Sequence, residues 1–214
     1  FVMMTGSALA IPWEDENIPA ILNTWYGGQS TGEAVADVLF GDYNPAGRLP
    51  VTFYRSDSDL PDFSNYDMTN RTYRYFKGTP LYPFGYGLSY SQFKYSNLQI
   101  PKTVKKGKKI TVSAKVTNVG KRNGEEVVQL YISHKNNSFK SPVQALKGFE
   151  RIFLKVGETK TVRFQLSPEQ LSIINQNGQA FQPKGKIAIG LGGGQPHVKN
   201  KTSGNVLTDN ILVN

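Results

Sequence analysis

The chain has 214 residues, no cysteine and a formal charge of +9. That length allows a substantial core and more than one folding unit, while the missing thiols exclude disulfides, thiolate zinc sites and a cysteine nucleophile. A composition of 38% hydrophobic and 12% aromatic residues is globular rather than disordered, and no run of about 18 apolar residues is present to cross a membrane as a helix.

The charge is unevenly placed. Residues 1–90 hold five basic against ten acidic groups, and residues 91–214 hold 20 basic against six acidic ones, so two units with different surfaces are expected. Phe1-Val2-Met3-Met4-Thr5 is a short apolar run consistent with a buried parallel strand entered midway. It has neither the basic leader nor the cleavage site of a signal peptide. Ala8 to Trp13 continues extended and is expected to stop at Pro12. Glu14-Asp15-Glu16 is the one dense acidic run; such runs are usually solvated or sit in a helix first turn, where the dipole favours them. A second apolar run, Pro19 to Tyr26, ends in Gly27-Gly28-Gln29. Ser30 and Glu33 have the spacing of a capping box, and Val35, Val38 and Leu39 predict a helix that buries one face. Asp37 and Asp42 flank the helix end, where turn chemistry accounts for them.

The helix runs into Ala36-Asp37-Val38-Leu39-Phe40-Gly41-Asp42-Tyr43-Asn44-Pro45-Ala46-Gly47-Arg48-Leu49-Pro50-Val51-Thr52-Phe53, a helix end, a tight turn and an extended segment. From Asp57 to Tyr90 periodicity gives way to aromatics, Pro and Gly. A connection this long and this apolar is expected to lie over a surface, because each buried aromatic contributes a few kcal/mol. Arg71 and Arg74 are expected to clamp it through Asp62 or Asp67. Beyond residue 93 the pattern becomes alternating, in Ile110–Thr117, Val127–Ile132 and Thr161–Leu166, with turns at Asn118-Val119-Gly120, Val156-Gly157 and Asn177-Gly178. Period two with such turns predicts an antiparallel β-sandwich. Gly190-Leu191-Gly192-Gly193-Gly194 lacks the Lys-Ser/Thr of a phosphate loop and is expected to be a turn. Lys102, Lys105, Lys106, Lys108 and Lys109 bracket a single turn, where lysine protects sheet edges, so nucleic acid is not expected as a partner. His134 and His197 stand apart from any ligand partner, so no metal site is expected. Asn70, Asn136 and Asn200 head glycosylation triplets.

Three segments resemble glycoside hydrolase family 3. The first is the Ala36–Phe53 stretch, which is similar to the end of that family's α/β sandwich. The second is Arg71-Thr72-Tyr73-Arg74-Tyr75-Phe76 with Pro80-Leu81-Tyr82-Pro83-Phe84-Gly85-Tyr86-Gly87-Leu88-Ser89-Tyr90. The third is Lys140–Phe149 with Leu154–Thr159, similar to the family's fibronectin type III-like domain. Leu60-Pro61-Asp62-Phe63 with Asp67-Met68 looks closer to the β-xylosidase-like branch than to the plant glucanase branch.

The resemblance implies three parts: residues 1–56 as the C-terminal part of the α/β sandwich, 57–92 as an aromatic-rich connection, and 93–214 as an immunoglobulin-like, fibronectin type III-like β-sandwich. It implies a retaining, exo-acting β-glucosidase or β-xylosidase that acts on an oligosaccharide in the periplasm or outside the cell. In that family the nucleophilic aspartate lies in an N-terminal barrel and the acid/base glutamate lies ahead of Phe1. Neither motif can be matched here, so no residue of this chain is assigned as catalytic, and no cofactor is expected. Trp25, Tyr26 and Gln29 are the candidate substrate-binding residues, since they follow a strand where α/β loops face a ligand crevice and aromatic faces suit sugar rings. The competing expectation is that Trp25 packs. An uncovered apolar face near Phe1–Thr5 would seek a partner: the upstream barrel of the same protein, or a second copy. The alternative from another class is a free-standing carbohydrate-binding or adhesive module.

Overall fold

The structure is a computed structural model and describes residues 1–135, 140–196 and 206–214. Two triplets, at Asn136 and Asn200, and His197 lie outside the described residues. Strands β1 (Val2–Met3) and β2 (Leu22–Asn23) pair in parallel, with Val2 opposite Leu22 and Met3 opposite Asn23. Between them runs helix α1 (Pro12–Asn17). The expectation that Pro12 stops an extended run is overturned, because Pro12 opens this helix: its fixed φ suits the first turn and its missing N–H is not needed there. Glu14 and Asp15 occupy that first turn.

Helix α2 (Thr31–Phe40) follows. The capping box does not form. Ser30 sits at φ −90° and ψ 17° and its side chain makes no capping bond, because an extended backbone is what aims a cap hydroxyl at the free amides. Thr31 instead donates its hydroxyl to Gly28 O at 2.6 Å. The helix closes on Gly41 in the left-handed region, φ +84°, where only glycine avoids a Cβ penalty. No α2 residue is buried; Leu39 is 56% and Phe40 84% exposed, so the expected burial of one face does not occur within this chain.

A small core of Met3, Ile11, Phe53 and Leu81 holds this unit, with Trp25 and Tyr82 packed on it. Leu81 and Tyr82 come from the aromatic connection, which folds back so that Phe53 N donates to Tyr82 O at 2.9 Å. The connection contains a 3-10 turn at Asp57–Asp59 and helix α3 (Thr72–Tyr75). Its second half lies on a surface as expected: Tyr73 stacks on Phe84 and Tyr82 on Tyr86. Its first half does not, since Phe63 and Tyr66 are almost fully exposed. Arg71 clamps the connection, but through backbone carbonyls of Asp62, Asn65 and Asp67 rather than carboxylates.

The remainder is a β-sandwich. In chain order its strands are β3 (Phe93–Gln99), β4 (Thr103–Val104), β5 (Ile110–Asn118), β6 (Gly124–His134), β7 (Ala145–Leu154), β8 (Thr159–Leu166), β9 (Ile173–Ile174), β10 (Ala180–Phe181), β11 (Gly185–Gly192) and β12 (Val206–Val213). One sheet has the order β4-β12-β11-β6-β7, the other β3-β5-β8, and β9 and β10 form a small hairpin. Strand β5 keeps the predicted alternation, with Val112, Ala114 and Val116 buried. They meet Leu130, Ile132, Ile187 and Ile189 from the facing sheet in one core. Gly190–Gly192 belong to β11 and only Gly193 and Gly194 bend, which corrects the expected turn. Strand β6 is buried on both faces over most of its length, because the aromatic connection covers its outer side.

Candidate functional site

The carboxyl ends of β1 and β2 lie together. Thr24 N donates to Met3 O at 2.9 Å and the Thr24 hydroxyl to the same oxygen at 3.2 Å, so the two strands leave the sheet as a fixed pair. The next residue, Trp25, has φ +57°, a left-handed backbone that costs a bulky residue about 1–2 kcal/mol. Two contacts hold it there: its N–H donates to Asn23 Oδ1 at 3.4 Å, and its ring meets Phe53 edge-on at 6.3 Å. Tyr26 projects outward, with its ring against Gly6 in the bend that follows β1, and is largely exposed. Gln29 is exposed ahead of α2. The loop therefore brings Trp25 and Tyr26 to the end of the sheet, with Trp25 half-buried in the small core and Tyr26 open to solvent.

The acidic run sits on α1. Asp15 accepts the Tyr82 hydroxyl at 2.6 Å, and the Tyr82 phenol is raised above its ordinary range by burial first and by Asp15 second. Glu16 is exposed. The Asp15–Tyr82 bond ties α1 to the aromatic connection, a structural role that the sequence did not disclose because 67 residues separate the partners.

A second constellation joins the first unit to the sandwich. Arg48 Nη2 meets Glu126 Oε2 at 2.6 Å, with the two side chains 5% and 0% exposed, and the Tyr95 hydroxyl donates to Glu126 Oε1 at 2.7 Å. Burial pushes the Glu126 carboxyl up, and Arg48 and then Tyr95 pull it back. Gly193 passes so close that a Cβ there would strike Glu126 Oε1; Gly193→Ala is expected to lower stability by about 1–3 kcal/mol in urea unfolding. Nearby, Gln129 Nε2 donates to Gly85 O and Gly193 O at 2.9 and 3.1 Å while its Oε1 accepts from Tyr131. Asn44 Oδ1 accepts from the Ser89 hydroxyl and Tyr90 N at 3.0 and 2.8 Å, and Leu49 N donates to Tyr86 O at 2.8 Å. The first two sequence segments singled out above are thus two sides of one seam.

The family model for the glycosyl hydrolase family 3 C-terminal domain matches residues 1–90, and a fibronectin type III-like domain model matches residues 126–195. The chain belongs to glycoside hydrolase family 3. It is 43% identical over 211 residues to a periplasmic beta-glucosidase of Salmonella typhimurium, covering 92% of this chain and 28% of that protein. It is 44% identical over 190 residues to a xylan 1,4-beta-xylosidase of Xylanibacter ruminicola, covering 88% and 22%. Among solved structures, a β-glucosidase of Erythrobacter marinus superposes with a TM-score of 0.84 at 36% identity, over 99% of this chain and 27% of that one. A Listeria innocua β-glucosidase in complex with isofagomine gives 0.83 at 30% identity, over 99% and 30%. The family 3 chain spans about a quarter of the length of these relatives. Among its described residues, no helix is long and apolar enough to cross a membrane.

Proposed function

We propose that this chain is the C-terminal portion of a retaining, exo-acting β-glucosidase or β-xylosidase that removes terminal β-linked sugars, with both reactive carboxylates supplied upstream. The observation that carries this reading is the open first unit. Its parallel sheet has two strands of two residues each; Phe1, Val2 and Met4 are exposed along β1, and Leu39 and Phe40 are exposed at the end of α2. Apolar surface of this kind is normally covered, and the cover is the remainder of the α/β layer and the catalytic barrel. Parts 1–56, 57–92 and 93–214 then act as completing layer, strap and buttress. Trp25, Tyr26 and Gln29 form one wall of the sugar pocket: the carboxyl end of a parallel sheet is where such folds bind ligands, and the strained Trp25 backbone fits a positioning role. A periplasmic or secreted location suits a glycan-degrading enzyme of this class.

The purified chain is expected to give no turnover of aryl β-glucosides or β-xylosides. Turnover that disappears in Glu14→Gln, Asp15→Asn or Glu16→Gln would place the chemistry here and overturn the reading. In the complete protein, Tyr26→Ala is expected to raise KM about tenfold, or about 1.4 kcal/mol, with a smaller change in kcat; an unchanged KM would remove Tyr26 from the pocket.

A further inference from the structure

Strand β6 ends at His134, and around that end an open cleft of about 650 Å³ lies between β6, β7, α3 and the β9 hairpin. Arg74 on α3, His134 on β6, Lys147 on β7 and Lys140 all line it. Lys140 is paired with Asp67 at 3.1 Å. Arg74 lies 5.8 Å over the ring of Tyr75, and neither it nor Lys147 has an ion-pair partner among the described residues. Besides Asp67, the cleft's one carboxylate among the described residues is Glu169, engaged by the Ser167 hydroxyl.

The basic groups in this cleft act on one another, Arg74 and Lys147 as cations and His134 held neutral beside them. Burial and then Arg74 lower the Lys147 ammonium, and burial and then Lys147 bring His134 down to about 4. The His134 Nε2 is buried without a hydrogen-bond partner among the described residues. Like charges drawn together at a partly desolvated surface cost free energy that a bound anion would relieve. The space is large for an inorganic ion and within the range of organic ligand sites, and Pro142, Ala145 and Tyr75 give it apolar walls.

We propose that this cleft binds the carboxylate of an acidic sugar, a uronic-acid residue of a glycan, with Arg74 and Lys147 on the carboxylate and Tyr75 against the ring. A planar guanidinium matches a carboxylate in two parallel bonds. The glycan nature of the ligand rests on the glycosidase reading above; its negative charge rests on the cleft alone.

The test uses the 214-residue chain and the C2–H proton signal of His134, identified by its loss in His134→Gln. Titration with methyl β-D-glucuronide is expected to shift the signal saturably and to move the His134 titration midpoint upward, as a nearby anion favours the imidazolium. Methyl β-D-glucoside is expected to leave the signal in place. Arg74→Gln, at an exposed position, and Lys147→Met, which keeps the apolar stem, are each expected to weaken glucuronide binding about tenfold, with the rest of the spectrum retained as the check on folding. No saturable shift with the glucuronide overturns the site. An equal response to the glucoside overturns the charge requirement, and binding of inorganic phosphate as tight as glucuronide overturns the sugar. The readout needs no hydrolysis, so its failure is separate from failure of the glycosidase reading.

Discussion

Arg48→Ala is expected to destabilise the chain by about 3–5 kcal/mol, because it leaves the Glu126 carboxylate buried with no cation beside it. Against a domain stability of roughly 5–15 kcal/mol, this is a large fraction, and the urea midpoint should fall accordingly. The double variant Arg48→Met/Glu126→Leu removes both charges and keeps the volume. Its cost should be much smaller, confined mainly to the Tyr95 hydroxyl that loses its acceptor, about 1–3 kcal/mol. The contrast between the variants is the informative measurement. If Arg48→Ala unfolds within about 1 kcal/mol of the parent chain, water reaches Glu126 and the seam is not sealed.

That seam also explains why the sequence was readable in some places and opaque in others. The sandwich was legible because Ile110–Asn118 and Thr159–Leu166 each bury one face, and a half-buried strand writes its period of two into the residues. Strand β6 is less clean, since Gln129 and Tyr131 point away from the core yet are buried under Gly85 and Tyr73; a polar residue there reads as solvent-facing. Glu126 gave no signal at all. Its partner Arg48 is 78 positions away, and one acid in an alternating strand is indistinguishable from a surface acid. The capping box at Ser30 failed for a local reason, because residue types specify a cap only when the backbone enters extended, and Gly27-Gly28 let it enter as a turn. The motif itself was not absent from the chain: Ser56 and Asp59 form one at the 3-10 turn. Of the candidate sugar contacts, the placement of Trp25 and Tyr26 after a parallel strand could be read from the apolar run before them. The positive φ of Trp25 could not, since nothing in its neighbours demands it.

Leu39→Glu/Phe40→Glu is expected to have opposite effects in two settings. In this chain both side chains are largely in water, so the pair should leave the unfolding midpoint nearly unchanged. It should also suppress self-association in sedimentation velocity, since it removes an apolar patch and adds like charges. In the complete enzyme, the same face is proposed to lie against the rest of the α/β layer. Burying a leucine and a phenylalanine contributes about 1.5–3 kcal/mol each, and placing two carboxylates there adds their desolvation, so the substituted enzyme should lose soluble expression and activity together. An effect in the complete protein no larger than in the isolated chain would mean that α2 faces solvent in both. The proposed cover would then have to be sought at β1 instead, where Phe1, Val2 and Met4 remain exposed, and Phe1→Ser with Met4→Ser, assayed in the same two settings, would locate it.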